Sequence, residues 1–160
     1  MVGTKLKIYT KSGWGERFHE MTIYLTFKNL NYVDFSGAVE VSAENALTFS
    51  ELEMDVSGAA EIDLEMKAEK YTAEFSGASE IDFRGSCKTG YIEISGASEF
   101  DAEGLQFDEL SIELSGASEA RIFATNKLRV DASGASEIRY KGNPPNISID
   151  ESGASSIKPM

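Results

Sequence analysis

The sequence predicts an all-β protein, a parallel β-helix (solenoid) of about seven to eight rungs of 18–21 residues. Three observations predict it. The tripeptide Ser-Gly-Ala begins at Ser36, Ser57, Ser76, Ser95, Ser115, Ser133 and Ser152, at intervals of 21, 19, 19, 20, 18 and 19 residues. Around each copy, apolar and polar residues alternate with period two, the pattern of a strand with one buried face. The alternation fills thirteen residues of each repeat and leaves only five to eight, too few for a packed helix. A propeller blade, at roughly 40 residues, needs twice the length available.

Numbering each rung from its serine as zero makes the columns explicit. Position −3 reads Val33, Met54, Ala73, Ile92, Ile112, Val130, Ile149, and position −1 reads Phe35, Val56, Phe75, Ile94, Leu114, Ala132, Glu151. Position +5 reads Val41, Ile62, Ile81, Phe100, Ala120, Ile138, Ile157. Between them lie polar columns: −2 is Asp or Glu in every rung, and +4 is Glu in all but the last. One rung alone cannot bury its apolar side. Stacked about 4.8 Å apart, the rungs pair their backbones and align like residues into ladders.

The same parity, carried through the motif, points Gly37, Gly58, Gly77, Gly96, Gly116, Gly134 and Gly153 inward as a structural glycine ladder. Ser79, Ser98, Ser118, Ser136 and Ser155 then form an inward hydroxyl ladder. The alternative puts Ser-Gly-Ala at a corner, where glycine supplies a positive φ; agreement of parity on both sides favours the inward ladder. Turns are expected at Arg84-Gly85-Ser86, Glu103-Gly104, residues 124–127 and residues 141–146. Residues 1–30 read as one or two irregular first rungs, with strands at Lys5–Thr10 and Thr22–Phe27, and residues 31–160 carry the repeats of one domain.

Composition removes several classes of function. A net charge of −12, from 27 acidic and 15 basic residues, repels nucleic acid and anionic membrane surfaces. Nothing approaches eighteen consecutive apolar residues, so no membrane insertion is expected. The first residues lack a signal-like apolar run. The chain is therefore expected to be cytoplasmic, or a mature or shortened form of an exported protein. One cysteine, Cys87, leaves no intrachain disulfide, and one histidine, His19, leaves no multi-histidine metal site. No cofactor is expected.

Repeated Ser-Gly-Ala-Ser-Glu-Ile, preceded by Leu6-Lys7-Ile8-Tyr9 and by Thr22-Ile23-Tyr24-Leu25-Thr26-Phe27-Lys28-Asn29-Leu30, resembles the putative auto-transporter adhesin, head GIN domain family of bacteria. The resemblance covers essentially the whole chain. It implies a pectin-lyase-like, right-handed β-helix, a periplasmic, extracellular or envelope-associated setting, and an adhesion role without catalytic residues. The family's preceding Gly-Ile-Asn-containing strand is missing here, which reads as an N-terminally shortened or atypical member.

The main candidate for chemistry is an outward acidic face of Glu61, Glu80, Glu99 and Glu119 with Asp63, Asp82 and Asp101, to which Glu40 and Glu137 add a rung each. Carboxylates stacked 5 Å apart repel by about 0.8 kcal/mol per pair in water. Calcium would relieve that repulsion; a solvated face that keeps the solenoid soluble is the simpler reading. Arg121, Arg139 and Lys158 follow Asp101 in the +6 column, so bases adjoin acids. An active site should break the repeat, and no rung does so this way. Cys87 reads as a small buried filler, Trp14 as a loop tip or end plug, and Asn146-Ile147-Ser148 as a sequon of little weight outside a secretory context. The expected function is a non-catalytic surface binding or adhesion module for a glycan or protein; the alternatives are a carbohydrate-active β-helix enzyme and a purely structural spacer. The N-terminal edge is expected to be sticky and to allow a homodimer, while Asp150, Glu151 and Lys158-Pro159 protect the other end.

Overall fold

The computed structural model describes residues 5–8 and 21–160. Those residues form strands and no α-helix: β1 (Tyr32–Ser42), β2 (Leu47–Gly77), β3 (Glu80–Gly96), β4 (Glu99–Leu114), β5 (Glu119–Ala132), β6 (Glu137–Lys141), β7 (Asn146–Glu151) and β8 (Ser156–Pro159). Every pairing is parallel, each element to the next, with β8 on β6 and β7 on β5. The molecule is a parallel β-solenoid, and its register is that of the repeat. Ser36 lies on Ser57, Ser76 on Ser95, Glu61 on Glu80, and Ile62 on Ile81.

The apolar columns are the core. Met54, Val56, Ile62, Phe75, Ile81, Ile94, Phe100, Ile112, Leu114, Ala120, Ile122 and Ile138 are all buried in one continuous cluster. Each Val, Leu, Ile or Phe buried this way contributes about 1.5–3 kcal/mol. The middle rungs are aromatic: Tyr71 meets Phe83 at 5.7 Å and Phe83 meets Phe100 at 5.9 Å, both edge-on, and Phe75 lies 5.8 Å from Phe100. In β1 the same columns, Val33, Phe35 and Val41, are only half-buried, because no described rung covers their other side.

At the motif the structure corrects the inward glycine ladder. The seven glycines are exposed and have φ between +74° and +115°. Ser-Gly-Ala is a corner, and glycine supplies the left-handed backbone that turns it. Only the residue two positions further points in: Ser79, Ser98, Ser118 and Ser136 are buried. Parity therefore survives the corner, although the corner itself does not obey it. The inward hydroxyls close the turn. Ser136 Oγ donates to the Ser133 carbonyl at 2.9 Å, and Ser155 Oγ to the Ser152 carbonyl at 2.8 Å. Among the described residues, Ser79 Oγ is the buried side-chain polar atom without a partner; the residue one rung earlier, Ala60, offers it none.

The corners stack closely. The amides of Ala78, Ala97, Ala117, Ala135 and Ala154 each donate to the carbonyl of the glycine one rung earlier at 2.7–2.9 Å. Backbone pairing thus continues around the bend. The expected turn at Arg84-Gly85-Ser86 is likewise a bend inside β3, with Gly85 at φ +117°, and residues 124–127 lie within β5. Of the expected turns, the one at 141–146 leaves the ladder, at residues 142–145.

A second correction concerns the first thirty residues. Residues 5–8 and 21–30 carry no strand, so the strand expected at Thr22–Phe27 is absent. Tyr9, Thr10, Trp14 and His19 lie outside the described residues. Phe27 and Leu30 still pack on the core, and the Phe27 ring stacks on Phe49 at 6.3 Å. Their side chains act as a lid without joining the ladder.

Gly96→Ala should be costly and Gly104→Ala mild. A Cβ on Gly96 would collide with the Gly77 carbonyl oxygen and sit at φ +98°, whereas on Gly104 it would meet the Arg84 Cγ at 3.0 Å, a flexible side chain. We expect a loss on the order of 2–5 kcal/mol for the first and under about 1 kcal/mol for the second. Urea denaturation of the two variants checks this, and equal midpoints would refute the corner assignment.

Candidate functional site

The outward columns beyond the corner form the charged face expected from the sequence. Glu61, Glu80, Glu99, Glu119 and Glu137 stand in one register line, with Asp63, Asp82, Asp101, Arg121 and Arg139 beside them. Strand alternation points all of them outward, and stacking puts successive charges on adjacent rungs.

Arginines neutralise much of this face. Arg84 reaches Asp63 at 3.0 Å and Asp82 at 2.8 Å. Arg121 gathers three carboxylates: Glu119 at 2.7 Å, Glu99 at 3.0 Å and Asp101 at 3.4 Å. Arg139 holds Glu137 at 3.0 Å. Both Arg84 and Arg121 are held above the usual guanidinium range, Arg84 by the Asp82 charge first and Arg121 by the Glu119 charge first. The Arg121 guanidinium occupies the place a cation would take among Glu99, Asp101 and Glu119. Among the described residues, no group of three or more His, Cys, Asp or Glu side chains is arranged to hold a metal ion.

The acidic −2 column of the sequence forms a second line. Position −2, on the side before the corner, stacks Asp34, Asp55, Glu74, Glu93, Glu113, Asp131 and Asp150. None of these seven forms an ion pair among the described residues. Two tyrosines from the −4 column serve them instead: Tyr32 donates its hydroxyl to Asp55 at 2.8 Å and Tyr91 to Glu113 at 3.3 Å. The hydrogen bond to Asp55 pushes the Tyr32 hydroxyl up to about 12. The Glu113 charge raises that of Tyr91. The sequence shows an acid in all seven rungs as part of the alternation; that this line, unlike the other, has no arginine paired to it among the described residues is visible only in the structure.

The remaining candidates take plain structural places. Cys87 is buried, its thiol 3.3 Å from the Thr89 carbonyl, and burial pushes it up to about 11, so it is a poor nucleophile. Asn146 of the sequon is exposed on β7. The corner alanines and the glutamates beside them line a shallow concavity of about 470 Å³, bounded by Ala38, Glu40, Ala59, Glu61, Ala78 and Glu80. Among the described residues no helix is long and apolar enough to cross a membrane.

The family model described as putative auto-transporter adhesin, head GIN domain, matches residues 1–144. Among solved structures, the chain is similar to a putative adhesin from Bacteroides fragilis NCTC 9343, with a TM-score of 0.72 and 23% identity. The match covers 82% of this chain and 61% of that one, so this chain spans less than two thirds of its length. At that identity the likeness shows a shared fold. No curated protein matches the chain.

The Tyr32–Asp55 hydrogen bond exists only while the phenol keeps its proton, so its contribution is complete below pH 10 and is lost as pH climbs from 10 through about 12. In Asp55→Asn the Tyr32 ring, followed by NMR, should titrate nearer the ordinary value of 10; an unchanged midpoint would rule out the pairing. Arg121→Gln should cost on the order of 1 kcal/mol, since solvent screens these groups, which are one third to one half exposed, and calcium should restore part of it. Calorimetry of the unaltered protein should show at most a shallow, salt-sensitive calcium heat. A tight one-to-one site there would show that Arg121 does not satisfy the face.

Proposed function

Since the chain belongs to the putative auto-transporter adhesin, head GIN domain family, we propose that it is a non-catalytic binding module of the bacterial cell envelope or surface. Its ligand is a glycan or a protein, met along a flank of the solenoid. The observation that carries this reading is the uniformity of the outward columns. Among the described residues the same acidic side chains recur rung after rung, and Glu40, Glu61 and Glu80 line a shallow concavity. A periodic surface of this kind suits a repetitive or extended ligand, because each rung offers the next increment of the same contact.

The carbohydrate-active alternative draws its support from the Arg121 cluster, where a base adjoins three carboxylates. Those groups are already engaged with one another, and the neighbouring rungs repeat them in weaker form around Arg84 and Arg139. A structural spacer would have the same fold and no ligand.

A glycan-array and envelope-protein screen, run beside a lyase and hydrolase panel, separates the three readings. We expect saturable binding without turnover, weakened as salt rises because the surface is acidic. Turnover lost in Arg121→Gln would establish the enzyme instead, and absence of both binding and turnover would leave the spacer.

A further inference from the structure

The flank before the corner holds its acids differently from the flank beyond it. Each rung sets its position −2 carboxylate about 4.8 Å from the last. Among the described residues none of Asp34, Asp55, Glu74, Glu93 and Glu113 takes part in an ion pair. Beyond the corner, Arg84, Arg121 and Arg139 already hold the acids. An incoming cation therefore meets carboxylates before the corner that it need not take from an arginine.

Acids alone would make this a solvated face. The tyrosines of position −4 add a second feature. Tyr32 and Tyr91 stand in one outward column, three rungs apart, and are 38% and 40% exposed. Each hydroxyl donates to the −2 acid of the next rung, Tyr32 to Asp55 at 2.8 Å and Tyr91 to Glu113 at 3.3 Å. Those bonds tie both rings to the acid column.

One of the two rings already has a cation on it. The Lys5 ammonium lies over the Tyr32 ring, 5.8 Å from its centroid. A ring face draws a cation by its quadrupole, and the carboxylates around this ring add to the attraction. Tyr91 repeats the arrangement three rungs on: a tyrosine, the acid two residues after it and the acid of the next rung. The Glu113 charge first, then burial and the Glu93 charge, hold the Tyr91 hydroxyl up, and Arg129, two rungs along the column, opposes them. Among the described residues the cations over aromatic rings are Lys5 on Tyr32 and Lys141 on Phe123, and Tyr91 carries neither.

Resting on the binding-module reading, we propose that this flank is the docking face and that its occupant is an extended, lysine- or arginine-rich segment of a partner protein. Tyr91 is the anchor. Its ring receives a basic side chain as Tyr32 receives Lys5, and Glu93 and Glu113 face the charge. A segment running along the stack then meets one carboxylate per rung, Glu74 before the anchor and Asp131 after it. A neutral glycan would leave these acids without a counter-charge, and nucleic acid would be repelled.

The probe is a short fluorescent peptide of alternating arginine and serine, titrated by polarisation over a salt series. Saturable binding to the unaltered protein is expected, falling as salt rises. Tyr91→Ala should weaken it about two- to fivefold, and Glu93→Gln with Glu113→Gln at least as much. Tyr91→Phe keeps the ring and should stay within about twofold. Glu80→Gln with Asp82→Asn removes the same charge from the other flank and should weaken binding less. Circular dichroism and denaturation report that each variant is folded. No saturable binding, Tyr91→Ala binding as the unaltered protein does, a Tyr91→Phe loss as large as that of Tyr91→Ala, or equal losses from the two flanks would each overturn the inference. The glycan and envelope-protein screen separates this failure from failure of the module reading. A ligand still bound in full by Tyr91→Ala keeps the module and removes this face, whereas a screen with no ligand removes the module reading and this proposal with it.

Discussion

The alanine amide that donates to a glycine carbonyl one rung earlier is the contact on which this architecture depends. A corner normally ends a β-ladder, because the turning backbone no longer faces its neighbour. Here every corner takes the same positive-φ shape, so that the turning residues pair as the strands do. Glycine is required twice over, by its backbone angle and by the carbonyl lying where a side chain would be. Once the corners stack, the columns on both sides are brought into line. Like residues then fall on like residues through the core and over the surface.

That alignment concentrates chemistry as well as packing. Apolar ladders deepen into one aromatic and aliphatic core, which is favourable at every step. Acidic ladders do the opposite, since each added rung brings another carboxylate beside the last. The two flanks manage this differently. Beyond the corner, Arg84, Arg121 and Arg139 stand among the acids, and Arg84 and Arg121 span adjacent rungs. Before it, seven acids run without an ion pair among the described residues, and only Tyr32 and Tyr91 donate to them. The electrostatic face that the solenoid presents therefore depends on the flank approached, and the flank before the corner carries the less compensated charge.

Repetition also makes departures from it visible. In a stack of equivalent rungs each residue meets its like, so a residue that breaks its column takes a different partner. Phe27 and Leu30 cover part of the core beside the first strand by side-chain packing alone. In the rung of β7 and β8, the Ile157 amide donates to Glu151, a residue that departs from its column. Departures from the repeat thus carry information that its regularity hides.

The sequence by itself determined the rung, the register and the core. Seven copies of a marker at near-constant spacing, with period-two alternation on both sides, leave few other ways to bury Ile62, Ile81 and Phe100 together, and the stacked pairs are those that simple alignment gives. Tertiary structure decided what happens at the corner, at the first thirty residues and among the charges. Alternation cannot say whether glycine continues a strand or turns it, because a residue with no side chain has no facing; only the carbonyl stacked upon it distinguishes the two. Thr22–Phe27 has strand composition but no strand partner among the described residues, and pairing is not a local property. Which acids find an arginine depends on reach between rungs about 20 residues apart in the chain, and that distance exists only after the corners have stacked.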